Sequence, residues 1–130
     1  MFAKLTLLLH ILIETPAAFT FIFTPEKQLH DCNSATRLVL RQYGGLLISS
    51  NLISVVLFSQ EELGDAGRLI AASLGFYHIW PCYRAYARLT RQVSGDIHGQ
   101  ATLGGPAVHL AVHIILLGMF GYVAISDVQA

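Results

Sequence analysis

Four apolar runs follow one another along the chain, each close to the ~20 residues that cross a lipid bilayer as a helix. They cover about residues 3–23, 35–58, 67–89 and 104–125. The polar segments between them are short and rich in residues that form turns and cap helices. Backbone groups in lipid must bond within their own segment, and short links favour antiparallel neighbours. The pattern therefore predicts an all-α protein, an integral membrane four-helix up-down bundle forming a single transmembrane domain over residues 1–130.

Composition supports a membrane protein. Hydrophobic residues make up 54% of the chain and charged residues only 12%, whereas soluble domains carry about 25% charged residues. A soluble helical protein is the less favoured alternative, because helices that are apolar all round must be buried. The net charge of zero excludes nucleic acid as a partner bound through a basic patch. Cys32 and Cys82 lie in different segments, which favours neither a disulfide framework nor a zinc finger.

Basic residues are concentrated in the first and third links and the helix ends beside them. They are Lys27, Arg37, Arg41, Arg84, Arg88 and Arg91. The positive-inside rule then places these links in the cytoplasm and both termini in the lumen, most simply that of the endoplasmic reticulum. Lys4, the apolar run and the segment TPAA also have the shape of a cleaved signal peptide. Glu14 interrupts that run, and the run continues to Thr24, so we expect a retained helix.

The first run, LTLLLHILIETPAAFTFIF, contains two ionisable residues. His10 and Glu14 are four residues apart and so lie on one face of a helix. At ~1.5 Å per residue Glu14 falls near the middle of the membrane. A carboxylate at that depth needs a cationic or hydrogen-bonding partner and is a functional residue by default.

The other three runs carry polar residues at similar depths. These residues are Arg41, Tyr43, Asn51, Tyr77, His78, Trp80, Tyr83, His109 and His113. Structural roles account for many such residues: histidines bond neighbouring helices, arginines extend to the interface, and Trp80 and Tyr83 suit an aromatic belt. The presence of polar groups in all four runs nevertheless favours a common polar site.

A carboxylate, histidines and tyrosines in a dry cavity suit acid–base catalysis on an apolar small molecule. Epoxide opening fits, because it needs a base for water and an acid for the epoxide oxygen. The predicted catalytic residues are Glu14 as base, His10 to orient water, and Tyr77, His78, His109 or His113 as acid. The predicted substrate-binding residues are Asn51, which can also orient water, with Tyr43, Arg41, Trp80 and Tyr83. No cofactor is required by this scheme.

Four stretches resemble a known group of proteins: ETPAAF followed by TP, RQYGGLLISSN, YHIWPCYRAYARL and LGGPAVHLAVHIILLG. Together they resemble small fungal four-helix transmembrane proteins of polyketide and meroterpenoid pathways. These include transmembrane epoxide hydrolases and, more distantly, membrane terpene cyclases. The resemblance implies secondary-metabolite biosynthesis by buried carboxylates. The cyclases are longer and use two acids, so the single deep acid, Glu14, favours hydrolysis or isomerisation over cyclisation.

Two alternatives belong to other functional classes. In the first, His109 and His113 share a metal ion that His78 and Glu14 complete, or histidines hold a haem in a membrane oxidoreductase. In the second, the histidines and Glu14 bind a small molecule or protons without catalysis. A carrier of this size would require a homodimer.

Overall fold

The computed structural model describes residues 1–29, 32–93 and 105–126 of the 130-residue chain. Most of these residues are helical, and none of them is in a β-strand, which confirms the all-α class. The helices are α1 (Phe2–Phe23), α2 (Ser34–Ser59), α3 (Asp65–Tyr77), α4 (Ile79–Val93) and α5 (Gly105–Ile125), with a short 3₁₀ turn at Pro25–Lys27.

Three of the described helices, α1, α2 and α5, are long and apolar enough to cross a membrane, with 22, 26 and 21 residues. Their ends lie within one residue of the bounds predicted from the sequence. Asn33 caps α2, since its Oδ1 accepts a hydrogen bond from the Thr36 backbone N–H at 2.8 Å. Many of their apolar side chains face outward, among them Leu12, Leu46 and Leu52, each at least 60% exposed. Such surfaces are consistent with lipid as the surrounding solvent.

The third run is where the structure departs from the sequence prediction. Residues 67–89 were expected to form one helix, but α3 ends at Tyr77 and α4 begins at Ile79. Pro81 explains the break, because it lacks the N–H that would bond to the carbonyl of Tyr77 and its ring crowds that carbonyl. The backbone N–H of His78 donates to Gly75 O at 2.9 Å, and helical bonding resumes with Cys82 N–H to His78 O at 3.2 Å. His78 therefore lies at a proline kink.

Contacts divide the chain into two compact units. The N-terminal unit comprises Ala3–Glu62 with Met1 and contains α1, the 3₁₀ turn and α2. The C-terminal unit comprises Leu63–Ala130 with Phe2 and contains α3, α4 and α5.

In the N-terminal unit α1 and α2 pack antiparallel. Near the end of α1 the Arg41 guanidinium Nε donates to Ile22 O at 3.2 Å. Near its start the Lys4 ammonium lies 5.8 Å from the centroid of the Phe58 ring. Between these contacts Gly44 lets the two backbones approach closely, because a Cβ on it would lie 2.9 Å from Ala18 O. The buried faces of both helices meet along this seam.

In the C-terminal unit α5 packs against α3 and α4 and runs antiparallel to both. The start of α3 meets the end of α5, where Arg68 Nη1 donates to Ser126 O at 3.1 Å. Further along α3, Gly75 leaves room for the Phe120 ring, since a Cβ there would lie 2.7 Å from Phe120 Cβ. The kink at His78 comes next in this register, opposite the middle of α5.

Candidate functional site

Two ionisable side chains lie on the buried face of α1. His10 is 0% exposed and Glu14 is 2% exposed, one helical turn apart. The same face carries the apolar residues Leu7, Ala18 and Phe21. Glu14 lies about 18 Å along α1 at ~1.5 Å per residue, close to the middle of this 22-residue helix. In a helix of this length that spans a bilayer, this position lies at a depth where charge is strongly disfavoured.

Ser50 on α2 fixes the ring of His10. The Nε2 atom lies 3.3 Å from Ser50 Oγ, and the Ser50 hydroxyl donates to Leu47 O at 2.9 Å. A hydroxyl has a single hydrogen. Because that hydrogen is given to Leu47, Nε2–H is the donor to Ser50 Oγ. The neutral ring is therefore the Nε2–H tautomer, which leaves Nδ1 as its basic nitrogen.

Asn51 places a buried amide beside these groups. The side chain is 6% exposed, and its Nδ2 donates to Thr15 Oγ1 at 3.0 Å. The amide oxygen, Oδ1, has no hydrogen-bond partner in the part of the chain that the structure describes. Since Thr15 follows Glu14 in α1, the amide lies at the level of the carboxylate. The N-terminal unit thus brings together a carboxylate, an imidazole and an amide.

The other two predicted residues of α2 lie nearer the end of α1. The Tyr43 ring packs edge-on against Phe21, with centroids 4.8 Å apart. Arg41 is exposed and bonds to the Ile22 carbonyl, as described above. Both contact the last turn of α1, two turns beyond Glu14, and their substrate-binding role stays a prediction.

In the C-terminal unit two buried histidines contact each other directly. His78 is 0% exposed and His113 is 1% exposed, and their Nδ1 atoms are 2.8 Å apart. The ring centroids are 5.1 Å apart, which is the separation expected when both nitrogens lie on the line between the centroids. This in-line contact is a hydrogen bond in which one Nδ1 donates and the other accepts. When both rings are neutral, they are opposite tautomers.

His109 extends this cluster along α5. Its ring packs edge-on against His113 with centroids 4.3 Å apart. The Nη2 of Arg84 lies 3.5 Å from His109 Nε2, at the limit of a hydrogen bond. Because a guanidinium can only donate, Nε2 of His109 is the acceptor. A continuous row therefore runs from His78 at the kink between α3 and α4, through His113 and His109 on α5, to Arg84 on α4.

The aromatic residues predicted near the kink differ in their surroundings. The Tyr77 ring packs edge-on against the His78 ring with centroids 5.1 Å apart. Trp80 and Tyr83 are 60% and 68% exposed on the outer face of α4. That position suits an interfacial aromatic belt, and their role in binding substrate stays a prediction.

A metal ion shared by His78 and His113 fits the observed geometry of the two rings poorly. Two imidazole nitrogens on one tetrahedral zinc lie about 3.3 Å apart, with both lone pairs directed at the ion. The Nδ1 atoms of His78 and His113 are closer, at 2.8 Å, and point at each other. A metal ion would have to separate them.

Sequence reasoning missed the hydroxyl groups that position the polar side chains. Ser50 holds His10, Thr15 holds Asn51, and Ser54 donates from the next turn of α2 to Ser50 O at 3.0 Å. The spacing of Ser50 and Ser54, four residues apart on the same face as Asn51, was the available signal.

Comparison with known proteins identifies no relative. No protein-family model, no curated protein and no solved structure matches the chain. Functional interpretation therefore depends on the chemistry of the side chains described above.

Proposed function

We propose that the chain is a multi-pass membrane protein with four crossings. α1, α2 and α5 each make one, and α3 and α4 cross together as a single span kinked at His78. With the basic first and third links in the cytoplasm, both termini are lumenal, in the endoplasmic reticulum. The support is the length and apolar character of α1, α2 and α5 and the distribution of Lys and Arg along the chain.

Within this membrane domain we propose an acid–base enzyme that hydrolyses an epoxide on a lipophilic small molecule. One observation carries the proposal: the Glu14 carboxylate is 2% exposed in the middle of an apolar helix. Burying a carboxylate there is costly, and such residues are functional by default. The neighbouring polar groups supply the orientation that a general base needs.

The proposed reaction uses groups of the N-terminal unit. Glu14 takes a proton from a water molecule, and the resulting hydroxide forms a bond to one epoxide carbon. The C–O bond of that carbon breaks, and its electron pair stays on the oxygen as an alkoxide. Glu14, now protonated, returns its proton to the alkoxide, so that the product is a diol and the carboxylate is regenerated. His10 and Asn51 orient the water through their hydrogen-bonding atoms.

Substitution of Glu14 by glutamine tests this function, because glutamine keeps the shape and removes the base. The purified chain in lipid nanodiscs is assayed for conversion of trans-stilbene oxide, a lipophilic epoxide, to its diol. We expect Glu14→Gln to lower turnover by at least about 100-fold, the usual contribution of a general base. The matched control is Glu62→Gln, which changes an exposed acid and should convert the epoxide at the wild-type rate. Wild-type turnover by a folded Glu14→Gln protein would refute the catalytic assignment.

The His78–His113 hydrogen bond favours a second candidate function, proton binding without catalysis. A pair of imidazoles joined through Nδ1 can take up a proton at one Nε2 and release one at the other. Buried histidines of this kind occur in proton relays of membrane proteins. This candidate differs from the first in predicting that function depends on His78 and His113 rather than on Glu14.

A further inference from the structure

The amide oxygen of Asn51 is a buried hydrogen-bond acceptor on α2. The side chain is 6% exposed, and Oδ1 has no hydrogen-bond partner among the described residues. Folded proteins rarely leave such an acceptor unpaired, because a buried polar group that loses its water must regain a hydrogen bond. An acceptor in this state points to a donor that the chain does not supply.

Three nearby donors on α1 and α2 are already engaged. The Ser50 hydroxyl donates to Leu47 O, and the Ser54 hydroxyl donates to Ser50 O. The Nε2–H of His10 donates to Ser50 Oγ. The Asn51 amide is hydrogen-bonded at its other end, where Nδ2 donates to Thr15 Oγ1. With these three donors engaged elsewhere, Oδ1 is open to a donor from a bound molecule.

We propose that Asn51 Oδ1 accepts a hydrogen bond from the hydroxyl group of a lipophilic alcohol. A neutral O–H donor suits this depth of the membrane, where a charged ammonium donor would be costly to bury. The hydroxyl subsite adds selectivity, because a site built around a hydroxyl discriminates against an analogue that lacks it.

This inference deepens the proposed function by naming its substrate class, and in that respect it rests on that function. Asn51 bonds to Thr15, the residue that follows Glu14. A hydroxyl on Oδ1 would therefore lie close to the carboxylate that acts on the epoxide. The substrate class is an epoxide that carries a free hydroxyl a few bonds from the reacting ring.

The test compares binding of 1-dodecanol and of dodecyl methyl ether, which keeps the oxygen but has no donor. Equilibrium dialysis with the full chain in nanodiscs, corrected for partition into empty nanodiscs, gives both dissociation constants. We expect the wild-type chain to bind the alcohol about tenfold more tightly, the value of one neutral hydrogen bond. Equal affinities for the two probes would overturn the proposal. They would indicate that Oδ1 accepts its hydrogen bond from a water molecule instead.

Two variants assign any preference to Asn51. Asn51→Leu removes the acceptor at similar volume and should abolish the preference, whereas Asn51→Asp keeps an acceptor and should retain it. Gln42→Leu, which removes an exposed amide from the same helix, is the matched control and should bind as the wild type does. Retention of the preference in Asn51→Leu would also overturn the proposal.

The dialysis measures binding without turnover, so it separates this inference from the proposed function. If Glu14→Gln hydrolyses the epoxide normally while the alcohol preference holds, the enzyme proposal fails and the hydroxyl subsite stands. If Glu14→Gln is inactive while the alcohol and the ether bind equally, the subsite fails and the enzyme proposal stands.

Discussion

At the scale of single residues, the contact between His78 and His113 in the C-terminal unit requires a specific protonation of each ring. A hydrogen bond between Nδ1 of His78 and Nδ1 of His113 requires the hydrogen from one ring and the lone pair from the other. The tautomers of the two rings are thus coupled, and each ring depends on the other for satisfaction of that atom. Replacing either histidine by an apolar side chain leaves the Nδ1 of the other without this hydrogen bond.

This coupling predicts a non-additive double-mutant cycle. His78→Phe and His113→Phe should each lower the free energy of unfolding by about 1–3 kcal/mol, the cost of losing a buried partner. The double variant should lose less than the two single losses combined, because it leaves neither nitrogen behind. Thermal unfolding in detergent, followed by circular dichroism, measures all four proteins. His109→Gln removes the long contact to Arg84 and the ring packing against His113 but leaves the Nδ1–Nδ1 hydrogen bond, so it should lose less stability than either single variant. Strictly additive losses would show that the pair is not coupled.

At the scale of the helices, the sequence predicted most of what the structure shows. α1, α2 and α5 follow directly from apolar length and from capping residues such as Asn33, since lipid leaves the backbone few alternatives. The break at His78 was not predicted as a helix end, although Pro81 was visible, because a proline inside a helix either kinks it or ends it. α1 shows that a proline need not end a helix, since it continues through Pro16.

Contact between α1 and α2 depends on one of two adjacent glycines. A Cβ on Gly44 would lie 2.7 Å from Ile22 Cγ1 and 2.9 Å from Ala18 O, whereas a Cβ on Gly45 has no neighbour within 4 Å. Gly44→Ala should therefore destabilise the protein by about 1–3 kcal/mol, because a backbone carbonyl must move. Gly45→Ala, the control, should leave thermal stability unchanged or raise it slightly through helix propensity. Equal effects of the two substitutions would mean that α1 and α2 do not pack as described.

At the scale of the whole molecule, the sequence predicted polar groups inside apolar helices but not how they pair. Glu14, His10, His78 and His113 could be recognised as buried candidates because ionisable residues are rare in membrane spans. Ser50 was indicated only by its spacing from Ser54, and Thr15 by nothing, since small hydroxyl residues are common in such helices and often bond only to their own backbone. Their partners depend on the register between α1 and α2, which a single sequence does not specify.

Membrane topology is the last prediction, and it depends on whether α3 and α4 cross the bilayer together. Neither helix alone is long enough, with 13 and 15 residues, but the two joined at His78 cover residues 65–93. If they cross once, residue 62 before α3 and residue 92 in the last turn of α4 lie on opposite sides. If they instead lie at the interface, both residues stay on the same side.

Single cysteines in a Cys32→Ser, Cys82→Ser background distinguish these cases in sealed endoplasmic reticulum vesicles. In the proposed orientation the basic links face the cytoplasm, so a membrane-impermeant maleimide should label Glu26→Cys and Gln92→Cys directly. It should label Glu62→Cys only after detergent opens the vesicles. Labelling of Glu62→Cys and Gln92→Cys from the same side would rule out a crossing by α3 and α4, and would leave three spans instead of four.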